Sequence, residues 1–171
     1  MNFAGIFYKW KLSSIKLNLK FAEVEFTSTE EDKQAAWELY VELLTRITTQ
    51  ALDDTAGDEK TALNSIYSIF PTTRLILKEK GRDAQTFSKI AIIVLNQIIR
   101  PFTAKWHKQS ELGAFDDYAR CELFRKELKD LQVDLIHYAQ LLADIAEVED
   151  LTNIRIGFFF WNCWSSNKVS F

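Results

Sequence analysis

The side chains of this chain best equipped for chemistry cluster at the end of one apolar stretch, Phe87 to Lys108, read as FSKIAIIVLNQIIRPFTAKWHK. They are Arg100, Lys105, Trp106 and His107. A guanidinium holds a permanent charge that suits phosphate, and an imidazole can transfer protons near neutral pH. Arg100 and His107 are about two helical turns apart, so on a helix both point the same way. A structural role is the alternative. Lys105, His107 and Lys108 would then sit favourably at the negative end of a helix dipole, with Trp106 packed on the core.

The stretch RPFTAKWH resembles the motif of Arg, four to six residues and His found in HEPN-domain ribonucleases. That resemblance implies an all-helical bundle in which paired motifs across a homodimer cleave RNA without a metal. It implies Arg100 for phosphate charge and His107 for proton transfer. The likeness covers residues 100–107 alone. Pro101 stands where the family usually has a polar residue, and a further long helix is expected after the motif.

Other groupings offer less. Asp134 and His137 are close enough on a helix to share a metal, but metal sites need three or four ligands and the only other histidine is His107. No metal and no cofactor is expected. Cys121 falls on an apolar helical stripe, and Cys163 lies among aromatics; neither belongs to a CxxC pair or has a neighbouring His. Two isolated cysteines favour a reducing, cytoplasmic setting. The run GRDAQTF lacks the lysine of a phosphate loop, and no GxSxG or HExxH is present.

The elements that would position these residues read as helices. The chain has 171 residues, 47% of them hydrophobic, with 13 Phe but only 5 Gly and 2 Pro, which argues against an all-β fold rich in tight turns. The net charge of −3 carries no DNA-binding signature. Apolar residues at Phe87, Ile90, Ala91, Val94, Ile98 and Phe102 mark one helical face, and Ile92, Ile93, Leu95 and Ile99 fill most of the rest. This predicts a core helix, because the apolar run is far shorter than the roughly 20 residues a bilayer needs. Pro101 predicts a kink near Gln97, whose carbonyl its ring would meet.

Three amphipathic helices are expected around it. The first starts in TSTEEDKQ, where Thr27, Ser28 and Thr29 each have an acid three residues on, and its stripe runs from Ala36 to Ala51. Asp53 to Asp58 reads as a loop. The second spans about Glu59 to Lys80, interrupted near Phe70 by Pro71 and stopped at Gly81. Asp83 is the expected cap of the central helix. The last runs from about Glu111 to Val148, its regular part starting after Gly113. Short loops then predict an all-α, up-down-up-down four-helix bundle over residues 27–148.

The two ends differ from this body. Residues 1–26 hold Lys9, Lys11, Lys16 and Lys20, with apolar alternation at Ile15, Leu17, Leu19 and Phe21 that predicts a short β-strand or hairpin arm. Its lysines could meet RNA or anionic lipid, or form a solvated strand face. Residues 149–171 carry Phe158, Phe159, Phe160, Trp161 and Trp164 without helical or strand phase. Such a patch marks a contact surface for a protein partner, a second copy or a membrane interface. We therefore expect a non-enzymatic helical module that works as a self-associating or partner-bound subunit.

Overall fold

The computed structural model describes residues 28–152, and over them it is all-α. The helices are α1 (Glu30–Leu44), α2 (Glu59–Tyr67), α3 (Ile69–Glu79), α4 (Gln85–Val94), α5 (Arg100–Glu111) and α6 (Tyr118–Ala146). A π-helical turn, Leu95–Ile99, joins α4 to α5, and a 3₁₀ turn, Ala114–Asp116, precedes α6. No strand occurs among the described residues. The strand-like arm expected over 1–26 lies outside them.

The start of α1 follows from its acids. Thr29 caps it: its hydroxyl accepts from Asp32 N at 3.1 Å, while the Asp32 carboxylate accepts from Thr29 N at 3.1 Å. Asp32 also reaches across the fold. Its Oδ1 accepts from Phe87 N, in the first turn of α4, at 2.8 Å. That is where the expected cap fails. Asp83 does not cap α4; Ala84 holds the N-cap position without a side-chain bond. The carboxylate comes instead from a residue distant in sequence, which local pattern cannot reveal.

Helix α1 ends at Leu44, short of the Ala51 that its apolar stripe suggested. The hydroxyls of Thr48 and Thr49 bond Leu43 O, so side chains take the carbonyl that a further helical turn would use. The next segment is tied from α6, where Gln132 Nε2 donates to both Ile47 O and Gln50 O at 2.6 Å. Arg125 does the same for the loop leading into α2. It donates to Glu59, Asp53 O and Gly57 O, and only 12% of its side chain is exposed.

The second expected helix breaks in two at Ser68, which closes α2 and opens α3. Pro71 then sits in the first turn of α3, where a missing N–H costs least. Gly81 ends the segment as expected. A Cβ there would stand 2.5 Å from Leu77 O and 2.8 Å from Ser88 Oγ, so the turn into α4 leaves room only for glycine. Gly113, at φ 77°, starts the turn into α6.

Packing buries a continuous apolar core. Its largest enclosed side chains include Trp106, Tyr40, Tyr138, Phe87 and Phe124. Helix α1 packs most extensively on α6, with further contacts to α3 and α4. The rod expected to be wholly enclosed is open on one side. Phe87, Ile90, Ala91 and Val94 are buried, but Ile92 is 48% exposed. Cross-chain pairs fix the register: Lys33 with Glu147 at 2.9 Å, Lys80 with Glu38, and Arg46 with Ser68.

The buried polar groups set two expectations for stability. Asp32→Ala strands two backbone donors, each costing about 1–3 kcal/mol, so we expect a loss of about 3 kcal/mol in denaturant unfolding. Asp32→Asn, which keeps an acceptor, should lose about half as much; a loss below about 1 kcal/mol for the alanine would deny the shared cap. Tyr138 is 1% exposed and its hydroxyl has no partner among the described residues. Burial holds its phenol well above the ordinary range. Folding thus keeps the proton, so stability is full below about pH 10 and falls as pH rises further. Tyr138→Phe should reduce that alkaline slope, which Tyr40, also raised by burial, shares, and raise stability at pH 7 by up to about 1 kcal/mol. A drop of that size in thermal unfolding would reveal a partner instead.

Candidate functional site

The π-helical turn that leads into the Arg100–His107 segment has a direct cause. Pro101 lacks a backbone donor and its ring would press on the carbonyl of Gln97. The helix widens over Leu95–Ile99, and Arg100 N donates five residues back, to Leu95 O. The irregularity falls where the kink was expected.

Beyond that turn, α5 carries both residues on the side facing α2 and α3. The Arg100 guanidinium lies 5.2 Å from the centre of the Phe70 ring, and its Nε donates to Asn96 Oδ1 at 2.9 Å. His107 meets the ring of Tyr67 edge-on at 4.9 Å. Tyr67 and Phe70 are themselves 5.7 Å apart. The shared face expected from the spacing is therefore present. The two groups are not adjacent, however, because seven residues of helix separate them by about 10 Å along the axis.

The environment of each group decides what it can do. Arg100 is exposed, whereas His107 Nε2 is enclosed and has no hydrogen-bond partner among the described residues. A proton could pass through that nitrogen only after the packing around it opened. A second guanidinium, Arg74 of α3, lies 5.8 Å from the centre of the same Phe70 ring. Arg74 reaches that ring from one turn along the same helix, and the packing of α5 near α3 brings Arg100 to it, a meeting that sequence spacing did not single out. Two cations around one ring would attract an anion.

Lys105 and Trp106 have different settings. Trp106 is 1% exposed, and its Nε1 donates to Glu127 of α6 at 3.0 Å. Its ring stacks on Phe115 at 6.1 Å and meets Phe124 edge-on at 5.1 Å. Lys105 pairs with the same Glu127 and lies 5.1 Å from the Trp106 ring. These two residues join α5 to α6, so they hold the helix that carries Arg100 and His107. Phe158, Phe159, Phe160, Trp161 and Trp164 lie outside the described residues.

The remaining candidates are dispersed. No group of three or more His, Cys, Asp and Glu side chains converges as a metal site would need among the described residues. His137 Nδ1 is enclosed without a partner there. Cys121 Sγ bonds Phe115 O at 3.4 Å, and burial first, then the charge of Glu59, pushes its thiol above the ordinary range. A raised pKa leaves little thiolate and a poor nucleophile.

A surface groove with exposed apolar side chains lies elsewhere, between α1 and α3. A groove of about 320 Å³ is lined by Trp37, Glu38, Val41, Thr72, Leu75 and Ile76. Trp37 is 45% exposed, Val41 38% and Leu75 57%, so three large apolar side chains face solvent along it. Lys80 with Glu38 and Arg46 with Ser68 clamp its two ends. Trp37 also borders a second groove of about 430 Å³ toward Ala146, Glu147 and Val148 at the end of α6. Sequence periodicity placed Trp37 and Val41 beside the helical stripe but gave no sign that α3 would leave them uncovered.

Among the described residues no helix is long and apolar enough to cross a membrane. No protein-family model, curated protein or solved structure matches this chain.

If Glu127 is the tie between α5 and α6, Glu127→Ala should release both Lys105 and Trp106. We expect a loss of about 1–2 kcal/mol in denaturant unfolding, since the indole donor is left without its partner. Glu127→Gln should lose less, because its amide oxygen can still accept. Equal losses for the two variants would contradict this role.

Proposed function

We propose that the protein is a non-enzymatic, up-down-up-down helical bundle that works through protein contact, using the α1/α3 face. Four segments compose the bundle: α1, α2 with α3, α4 through α5, and α6. Opposed registers support this order. Lys33 near the start of α1 meets Glu147 after α6, and Glu38 meets Lys80 after α3. Tyr67 meets His107 while Phe70 meets Arg100, and Gln109 meets Arg120 while Lys105 meets Glu127.

The observation that carries the contact reading is the exposed row Trp37, Val41 and Leu75. Large apolar side chains in one clamped groove, with acidic residues on the rim, have the anatomy of a contact surface: aromatic centre, polar edge. A rigid groove also loses little conformational freedom on binding. Leu75→Glu tests this. The side chain is largely exposed, so the fold should tolerate the charge. Wild type should self-associate in sedimentation or capture a defined partner from lysate, and Leu75→Glu should weaken that at least tenfold. A monomeric wild type that captures nothing, or an unaffected variant, would count against the reading.

A second reading rests on Arg74, Arg100 and His107 around Tyr67 and Phe70. It is an RNA-cleaving site like that of HEPN-domain ribonucleases, with the guanidiniums on phosphate and His107 moving the proton. Cleavage of total RNA by wild type, lost by at least a hundredfold in His107→Ala, would support it. Equal inactivity of both proteins would remove it.

A further inference from the structure

The α1/α3 groove has a candidate occupant within the chain itself. The last described residues do not leave the fold at random. Tyr40 of α1 donates its hydroxyl to Glu149 O at 3.3 Å and accepts from Leu151 N at 2.6 Å. Gln140 of α6 holds Asp150 and Thr152 at 3.3 and 3.2 Å. The chain is thus pinned at the α1/α6 seam where the described residues end. The Trp37 ring is 6.0 Å from the Tyr40 ring, so that exit lies beside the exposed apolar row.

The C-terminal segment has matching chemistry. Residues 153–171 include Ile154, Ile156, Phe158, Phe159, Phe160, Trp161 and Trp164. They carry Arg155 and Lys168 and no Asp or Glu. The rim near the exit carries Glu30, Glu147, Glu149 and Asp150 with Lys33, an acidic excess. The chain thus leaves past the acidic border of the neighbouring groove, which suits Arg155 and Lys168, while its apolar rings match the α1/α3 groove, whose own rim carries Glu38 and Glu42. Reach is no obstacle, because an extended chain covers about 3.3 Å per residue and the segment begins next to the groove. A tether this short also gives millimolar effective concentration, which favours its own chain over a second copy.

We propose that residues 158–164 dock in the α1/α3 groove of the same molecule, over Trp37, Val41 and Leu75. This rests on that face being a contact surface, and it deepens the reading: an outside partner must displace the chain's own segment.

Cys163 provides the test in the full-length chain. Replacing Cys121 with Ser leaves Cys163 as the single native thiol, and Leu75→Cys adds a partner in the groove. A short bismaleimide is added at low protein concentration and the product is mapped by mass spectrometry. We expect an intramolecular link between positions 75 and 163, at least tenfold above that of a Val133→Cys control on exposed α6. Adding Trp37→Ala should reduce the link at least fivefold. Three results would each overturn the proposal: linking no better than the Val133→Cys control, a product of doubled mass only, or a link insensitive to Trp37→Ala. Groove coverage by residues 1–27 would give the first of these, since they hold no cysteine, and a second copy would give the second. If the link fails while Leu75→Glu still abolishes partner capture, the contact surface stands without this occupant. If the link forms and nothing is captured, the occupant stands and the contact function falls.

Discussion

A single buried carboxylate ties the two halves of the fold. Asp32 is 1% exposed, yet it closes the capping box of α1 and accepts a donor from the first turn of α4. Two helix starts, each with its positive dipole end, converge on one negative charge. A buried charge is tolerable only when its oxygens are fully used, and here both are. The consequence for assembly is order. The α1 and α4 starts must meet before either is fully satisfied, so the pairing of sequence-distant segments is built into local helix chemistry.

Elsewhere the core is apolar and polar groups act at the joints. Gln132 and Arg125, both on α6, reach over to the carbonyls of the connection between α1 and α2. Within that connection, Asp53 accepts from Thr55 and Ala56, and Asp58 caps α2 through Thr61 N. Backbone hydrogen bonds hold Asp53 below the ordinary carboxylate range, while hydrogen bonds from Thr61 do so for Asp58. These contributions are present above the unfolded carboxylate value and fade as acid protonates them, so the loop loosens toward low pH. The stiff long helix thereby organises a polar connection that has little core of its own.

Much of the helical content was legible in the sequence because it depends on neighbours three and four residues apart. The stripes on α1, α4 and α6, the stop at Gly81 and the break ahead of Pro71 all belong to that local order. What escaped depends on distant partners. The early end of α1 needed its threonines to compete for carbonyls. The cap of α4 needed Asp32, not the nearby Asp83. At the Arg100–His107 segment, the common face followed from spacing, but the enclosure of His107 Nε2 and the meeting of Arg100 with the Phe70 ring required tertiary packing. The groove at Trp37 is an uncovered region, and periodicity reports which residues face inward without saying what will cover the margins.

The π-helical turn at Leu95–Ile99 has a further meaning for how this sequence can vary. A widened turn holds one residue more than the plain helix would, so the apolar phase ahead of it and the phase behind it are set independently. Phe87 and Val94 answer to one phase, Phe102 and Trp106 to the other. Loss of one residue inside the turn, together with replacement of Pro101, would let the helix regularise while both phases kept their facing. The same loss in the middle of α6 would rotate everything beyond it by about 100° and turn its buried row toward water.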